Sequence, residues 1–273
     1  MNHLRISIAV TDPAQQEILI AFLSELGYEG FEQEEDVLQA YLPESGFDAA
    51  ALAATLQPYH LAFTTAPVPE KNWNEEWERN FTPVQIDRFC AIRAHFHPPI
   101  PGVTHELIIT PKMSFGTGHH ATTYTVLRAM EHLGFEGKTV LDFGTGTGVL
   151  AILAEKLGAA RIEAIDIDDW SIRNANENIA ENHCIKVTAK KLDAIPPGEQ
   201  FDIILANINK HVLLAQMARM AQQLKLEGVI LMSGLVDKDF EEIDNQAKLT
   251  NLFVAERTSK DGWICLKMEK SPN

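Results

Sequence analysis

The sequence predicts an α/β protein in which a small α+β unit precedes a larger domain built on a doubly wound, mostly parallel sheet. Three observations carry this. The first 65 residues place strand-like and helix-like runs in the order βαββαβ, a ferredoxin-like split unit. From about Val84 onward strands alternate with helices, as in sheets whose parallel strands are joined by crossover helices. Within that second part, Val140-Leu141-Asp142-Phe143 runs into Gly144-Thr145-Gly146-Thr147-Gly148 and then a helix, the strand-to-helix turn at which open α/β sheets bind ligands.

In the first unit, Leu4-Arg5-Ile6-Ser7-Ile8-Ala9-Val10 alternates as a strand with one buried face. Asp12 followed by Pro13 supplies an N-cap and a proline at the first helical position, opening a helix that Gly27 stops after about Leu26. Strand-like runs around 28–33 and 37–42, a helix over about 47–56 and a strand around 59–65 complete the unit. Pro67-Val68-Pro69 then marks a boundary, because prolines favour extended chain and deny donors to a sheet. The expected division is a ferredoxin-like recognition domain over residues 1–66, a linker with a short helix over 67–83, and the main domain over 84–273. In the linker, Trp73, Trp77 and Phe81 recur every four residues and form an apolar stripe expected to pack against the main domain.

The main domain reads as strands near 107–110, 140–143, 162–165, 187–190, 203–205 and 229–232, with helices from about 122, 148 and 168 and across 212–224. Two last strand-like runs, near 252–257 and 263–268, close the sheet with a hairpin.

Alternating glycines let the chain turn sharply and bring bare backbone against a ligand. The loop alone is ambiguous, since Gly146-Thr147-Gly148-Val149-Leu150-Ala151 also fits a dinucleotide pattern. Asp142 favours S-adenosylmethionine: a carboxylate where strand meets loop repels a pyrophosphate but holds the ammonium of a methionine moiety, directly or through water. Asp166 ends the next strand, Arg161-Ile162-Glu163-Ala164-Ile165-Asp166, and is placed to accept from a ribose diol under either reading. Asn207 ends Phe201-Asp202-Ile203-Ile204-Leu205-Ala206-Asn207 at the same sheet edge.

Cys90, Cys184 and Cys265 are few, odd in number and scattered among 273 residues, so neither a disulfide framework nor a zinc site is indicated. His119 and His120 are adjacent with no second ligand pair nearby, which argues for packed or hydrogen-bonded loop histidines and no metal. No long apolar run or basic-then-apolar leader is visible, so a cytoplasmic protein without membrane insertion is expected. Of the net charge of −15, most lies at the start: residues 1–70 hold eleven acidic residues against Arg5 alone, a net −10. Such a surface repels phosphate backbones and attracts a basic protein.

With Phe115-Gly116-Thr117-Gly118-His119-His120-Ala121-Thr122-Thr123 before the glycine loop and Asn207 after it, the chain resembles PrmA-type ribosomal protein methyltransferases over essentially its whole length. The resemblance implies a seven-stranded, Rossmann-like class I S-adenosylmethionine-dependent methyltransferase domain behind a ferredoxin-like substrate-binding domain. It implies trimethylation of lysine and/or N-terminal amines on the eleventh large-subunit ribosomal protein, a basic partner; a monomer is expected, and the acidic first unit argues against direct nucleic-acid readout. It places Phe115, Gly116, Thr117 and Thr123, with Asp142, Gly144, Gly146 and Asp166, around the cofactor, and Asn207 at the transferred methyl group. Two departures stand out: the family's Thr-His-Pro-Thr-Thr reads His119-His120-Ala121-Thr122-Thr123, and the Ile-Leu after the asparagine reads Ile208-Asn209.

Methyl transfer from a sulfonium to an amine is an in-line displacement, so the site aligns nitrogen, methyl and sulfur without a covalent enzyme intermediate. The amine must be neutral, which at pH 7 costs about 4.6 kcal/mol for a lysine and about 1.1 for an α-amine from their reference pKa values. A neutral side-chain carbonyl at Asn207 orients the amine without holding the ammonium form as a carboxylate does. Another protein or small-amine acceptor, a dinucleotide-dependent oxidoreductase, and a cofactor-binding module without catalysis stay open as alternatives.

Overall fold

A computed structural model describes residues 3–28, 30–68, 81–110, 112 and 114–271. The chain divides into two compact units, Met1–Arg79 and Asn80–Asn273. Trp73 and Trp77, and the helix expected around them, lie outside the described residues.

The first unit runs β1 (His3–Ala9), α1 (Pro13–Glu25), β2 (Gly30–Gln33), β3 (Val37–Pro43), α2 (Ala49–Leu56) and β4 (Phe63–Val68). Its sheet has the order β2-β3-β1-β4, antiparallel at every pairing, so each βαβ connection spans a strand of the other. The alternation in β1 carries through: Ile6 and Ile8 are buried with Leu19 and Leu23 of α1, Leu38 and Leu42 of β3, and Leu52 and Leu56 of α2. Asp12 caps α1 by accepting from the Ala14 N–H, and Asp48 caps α2 by accepting from the Ala50 and Ala51 N–H groups. β4 extends further than the sequence suggested, with Pro67 paired opposite Leu4. An edge strand tolerates this, because the missing proline donor faces away from the ladder.

The second unit is a seven-stranded mixed sheet of order β10-β9-β8-β11-β12-β14-β13. Its strands are β8 (Thr139–Phe143), β9 (Arg161–Asp166), β10 (Val187–Lys191), β11 (Phe201–Asn207), β12 (Leu224–Val236), β13 (Leu252–Lys260) and β14 (Trp263–Lys270). The first five positions are parallel, while β14 lies antiparallel between β12 and β13. Side chains alternate across the strands: Val140, Ile203, Leu205 and Leu231 face one core, and Leu141, Ile204, Ala206 and Ile230 face the other. The first face is covered by α3 (Ala121–Met130), α4 (Val149–Lys156) and α5 (Asp169–Glu181), the second by α6 (Lys210–Gln223) and α7 (Phe240–Leu249). Chain order reverses between β8 and β11, the switch point at which a cleft opens beyond the carboxyl ends of the strands.

Three features depart from the sequence expectation. α7 was not anticipated, although Phe240, Ile243 and Ala247 share helical spacing and Glu241 and Glu242 occupy its first turn. β12 begins directly where α6 ends and is much longer than 229–232. The strand expected near 107–110 is β7 (His105–Ile108), which joins β5 (Val84–Ile86) and β6 (Cys90–Arg93) in a separate three-stranded sheet.

The free edge of β7 is closed by side chains. Asn182 accepts from the Ile108 N–H at 2.9 Å and donates to its carbonyl at 2.6 Å, and Asn178 accepts from the Thr110 N–H at 3.0 Å. Each amide thus stands in for a neighbouring strand. Asn182→Ala leaves both Ile108 groups unpaired, at about 1–3 kcal/mol apiece, so calorimetry should show the melting temperature falling by roughly 4–24 °C.

Candidate active site

The cleft at the switch point encloses about 1280 Å³ open to solvent. Its floor comes from strand ends: Phe143 at the end of β8 and Gly144 just after it, Asp166 at the end of β9, Asn207 of β11 and Gly234 of β12. Trp263 reaches the same edge because β14 is antiparallel and pairs its first residue with Val236 at the end of β12. Sequence distance is therefore no guide to membership of this site.

The glycine loop is held from three directions. Gly144 and Thr145 donate to the Ile165 carbonyl at 2.9 and 3.0 Å, and Gly146 donates to Asp166 Oδ2 at 3.0 Å. Thr147 donates its N–H to the Phe115 carbonyl at 2.9 Å and its hydroxyl to the Gly116 carbonyl at 2.7 Å, while its own carbonyl accepts from Asn178 Nδ2 at 2.8 Å. Ligand approach is not what most demands glycine here. At Gly146, with φ +54°, a Cβ would overlap the Phe115 carbonyl oxygen, and at Gly144, with φ +78°, it would overlap the Ile208 side chain. Both positions combine left-handed backbone with protein atoms already in the way.

Of the residues singled out from sequence, Phe115, Gly144, Gly146, Asp166 and Asn207 line the cleft, whereas Gly116, Thr117, Thr123 and Asp142 do not. Thr117 Oγ1 is 3.2 Å from His119 Nδ1, and His119 Nε2 donates to the Thr82 carbonyl at 2.8 Å. Thr123 is fully buried, and its hydroxyl oxygen accepts from Asn207 Nδ2 at 3.3 Å; its neighbour Thr122 faces the cleft. Asn207 Oδ1 is buried and has no partner. Asp166 already accepts a backbone N–H on each oxygen, from Gly146 and Asp168, so it braces the glycine loop, and each oxygen keeps a further lone pair.

Several wall residues carry no signal in the sequence. Ile167, 68% exposed, and Leu192 give an apolar surface beside Asp166. His120 caps α3 through Nδ1, which accepts from the Thr122 N–H, and its ring lies 5.2 Å from Phe115 and 4.8 Å from Trp263. This aromatic trio rims the cleft. Asn174 and Asn178 of α5 and its C-cap Asn182 repeat every four residues and are all buried; that spacing puts them on one helix face, but only the fold reveals that the face looks inward. Among the described residues no three His, Cys, Asp or Glu side chains converge as metal ligands.

Asp142 lies beneath the loop with no exposed surface. Its Oδ2 accepts from the Thr145 hydroxyl at 2.6 Å and the Ala151 N–H at 3.2 Å, while Oδ1 has no partner. Burial pushes the carboxyl up to about 7; those two hydrogen bonds oppose the shift and the nearby Asp166 charge adds to it. A group that binds its proton more tightly when folded contributes stability that is complete below its ordinary pKa near 4 and is lost as pH rises through 7. Asn, which stays neutral, escapes that loss. Thermal denaturation from pH 5 to 8.5 should therefore show Asp142→Asn gaining on the wild type as pH rises, by an amount on the order of a few kcal/mol.

A family model described as "Ribosomal protein L11 methyltransferase (PrmA)" matches residues 3–271. The chain is 41% identical over 259 residues to a Ribosomal protein L11 methyltransferase from Porphyromonas gingivalis, covering 92% of this chain and 89% of that relative. It is 38% identical over 287 residues to one from Chlorobaculum tepidum, covering 98% and 96% of the two chains. A crystal structure of ribosomal protein L11 methylase from Lactobacillus delbrueckii subsp. bulgaricus superposes with a TM-score of 0.64 at 27% identity, over 70% of this chain and all of that one. Near-complete coverage by the family model, together with a cleft at the switch point of an α/β sheet, shows that this chain belongs to the ribosomal protein L11 methyltransferase family.

Proposed function

We propose that this protein trimethylates amines of ribosomal protein L11, lysine side chains and/or the N-terminal α-amine. The observation that supports this best is Asn207. Its side-chain carbonyl is buried at the cleft floor without a partner, while its amide nitrogen is tied back to Thr123. An acceptor held in that way and left unpaired costs free energy until a donor arrives. An amine N–H meets the requirement, and a neutral carbonyl orients the nitrogen lone pair without stabilising the ammonium form.

S-adenosylmethionine, as the family's methyl donor, supplies a methyl group on a sulfonium centre open to displacement. The residues present fit it. Asp142 Oδ1, also buried and unpaired, suits the ammonium of its amino-acid part, which it would hold through water from beneath the loop of Gly144 and Gly146. Asp166 retains lone pairs for a ribose diol, and Ile167 with Leu192 offers apolar surface for a purine. Phe115, with Gly116 and Thr117 behind it, closes the loop side, and Thr123 acts through Asn207.

Phe115, His120 and Trp263 exclude water from the amine and present aromatic faces and edges to a group that gains cationic character as it is methylated. The lip beyond Asn207 carries the small polar Asn209, leaving room for the amine to rotate between transfers. The βαββαβ unit, read as ferredoxin-like, serves as the recognition domain for the protein substrate, its acidic surface drawing in a basic one.

Incubating purified ribosomal protein L11 with this enzyme and S-adenosylmethionine should raise its intact mass in steps of one methyl-for-hydrogen exchange. No shift, with cofactor binding intact in calorimetry, would discard the substrate. Asn207→Ala should lower turnover by about 100-fold, the scale of a misplaced reactant, with little change in cofactor affinity; equal losses in both would make Asn207 a cofactor ligand.

A further inference from the structure

We infer that an exposed apolar stripe along α1, formed by Ile18, Phe22 and the C-cap residue Leu26, is the face through which the N-terminal unit docks its protein substrate, and that the matching face of that substrate is apolar with a basic rim. This rests on the reading of that unit as the recognition domain. α1 is apolar on two sides. Leu19 and Leu23 are fully buried in the core of the unit, which is all that anchoring the helix requires. Ile18, Phe22 and Leu26 are nonetheless 47%, 43% and 38% exposed, and their spacing of four aligns them in one row.

Single exposed hydrophobic residues are ordinary, but a contiguous row marks an interaction surface. Among the described residues these three are the only exposed large hydrophobic side chains of the first unit. An aromatic flanked by aliphatic residues is the usual make-up of an interface anchor.

The charge of the segment that carries the stripe selects the occupant. Asp12 to Asp36 contains eight acidic residues and neither lysine nor arginine, and Glu17 is exposed directly beside Ile18. A second copy of this chain would bring the same charge and be repelled, as would a phosphate backbone. A basic protein gains at both centre and rim.

The test is steady-state methylation of intact ribosomal protein L11 by the full-length enzyme carrying Phe22→Ser, and separately Ile18→Ser, with a short peptide bearing the same amine as a second substrate. Both side chains are solvent-exposed, and matching melting temperatures check that the variants fold. The expected result is a KM for the intact protein raised by about tenfold, the loss of one interface anchor, with unchanged kcat, unchanged cofactor affinity and unchanged KM for the peptide. For the wild type, the KM for the intact protein should rise with ionic strength. An unchanged KM for the intact protein in both variants overturns the docking face and leaves the methyltransferase reading standing. A wild-type enzyme that binds cofactor but modifies neither substrate overturns both. If sedimentation shows a wild-type dimer that Phe22→Ser dissociates, the stripe is covered by a second copy and the inference is wrong.

Discussion

The site depends on a single threonine in the glycine loop. Thr147 uses its N–H and its hydroxyl to hold the two carbonyls of Phe115 and Gly116, and its own carbonyl is held by Asn178. Three backbone segments from different parts of the chain therefore meet at one residue. The close approach leaves no space for a Cβ at Gly146, so the glycine spacing answers to protein packing as much as to any ligand. Because Asn178 also receives the Thr110 N–H, the strand leading into the Phe115 segment and the loop beneath it share a support. Whatever binds in the cleft meets a wall whose parts cannot shift independently.

Against that braced background, two buried carbonyl-type oxygens at this end of the sheet, Asp142 Oδ1 and Asn207 Oδ1, stand without a partner among the described residues. A fold that satisfies Ile108, Thr110 and Thr147 with asparagine amides has the means to satisfy these as well, and does not. Their positions differ in consequence. Asp142, wholly buried under the loop, is a carboxyl whose ionisation is suppressed by its surroundings and is restored by a cation. Asn207, at the cleft floor, carries no charge and is fixed through Thr123, which suits a group that must select a free amine. On the function proposed above, Asp142 would serve cofactor binding and Asn207 the orientation of the acceptor amine.

Much of the fold was legible in the chain. Period-two alternation in β1 and the Asp12-Pro13 start of α1 located elements of the first unit, because strand and helix periodicity and caps are local properties. The parallel strands and their helices were legible for the same reason. What escaped was pairing. β7 reads as a strand of the main sheet, yet its edge is satisfied by Asn178 and Asn182, and nothing local distinguishes an asparagine that closes a strand edge from one that faces water. Pro67 reads as a terminator, but β4 is an edge strand, where a missing donor costs nothing.

For the site, the sequence by itself determined the strand ends that form the floor: Gly144, Gly146, Asp166 and Asn207 follow apolar runs, and parallel strands deliver their last residues to one edge. Only the tertiary structure decided which polar groups reach the cleft and which support it. Thr123 and Asp142 went behind the wall, Thr122 came forward, and Trp263 arrived from the far end of the chain because β14 runs antiparallel. The reason is that hydrogen-bond satisfaction and burial are set by neighbours distant in sequence, and these neighbours exist only once the sheet has been assembled.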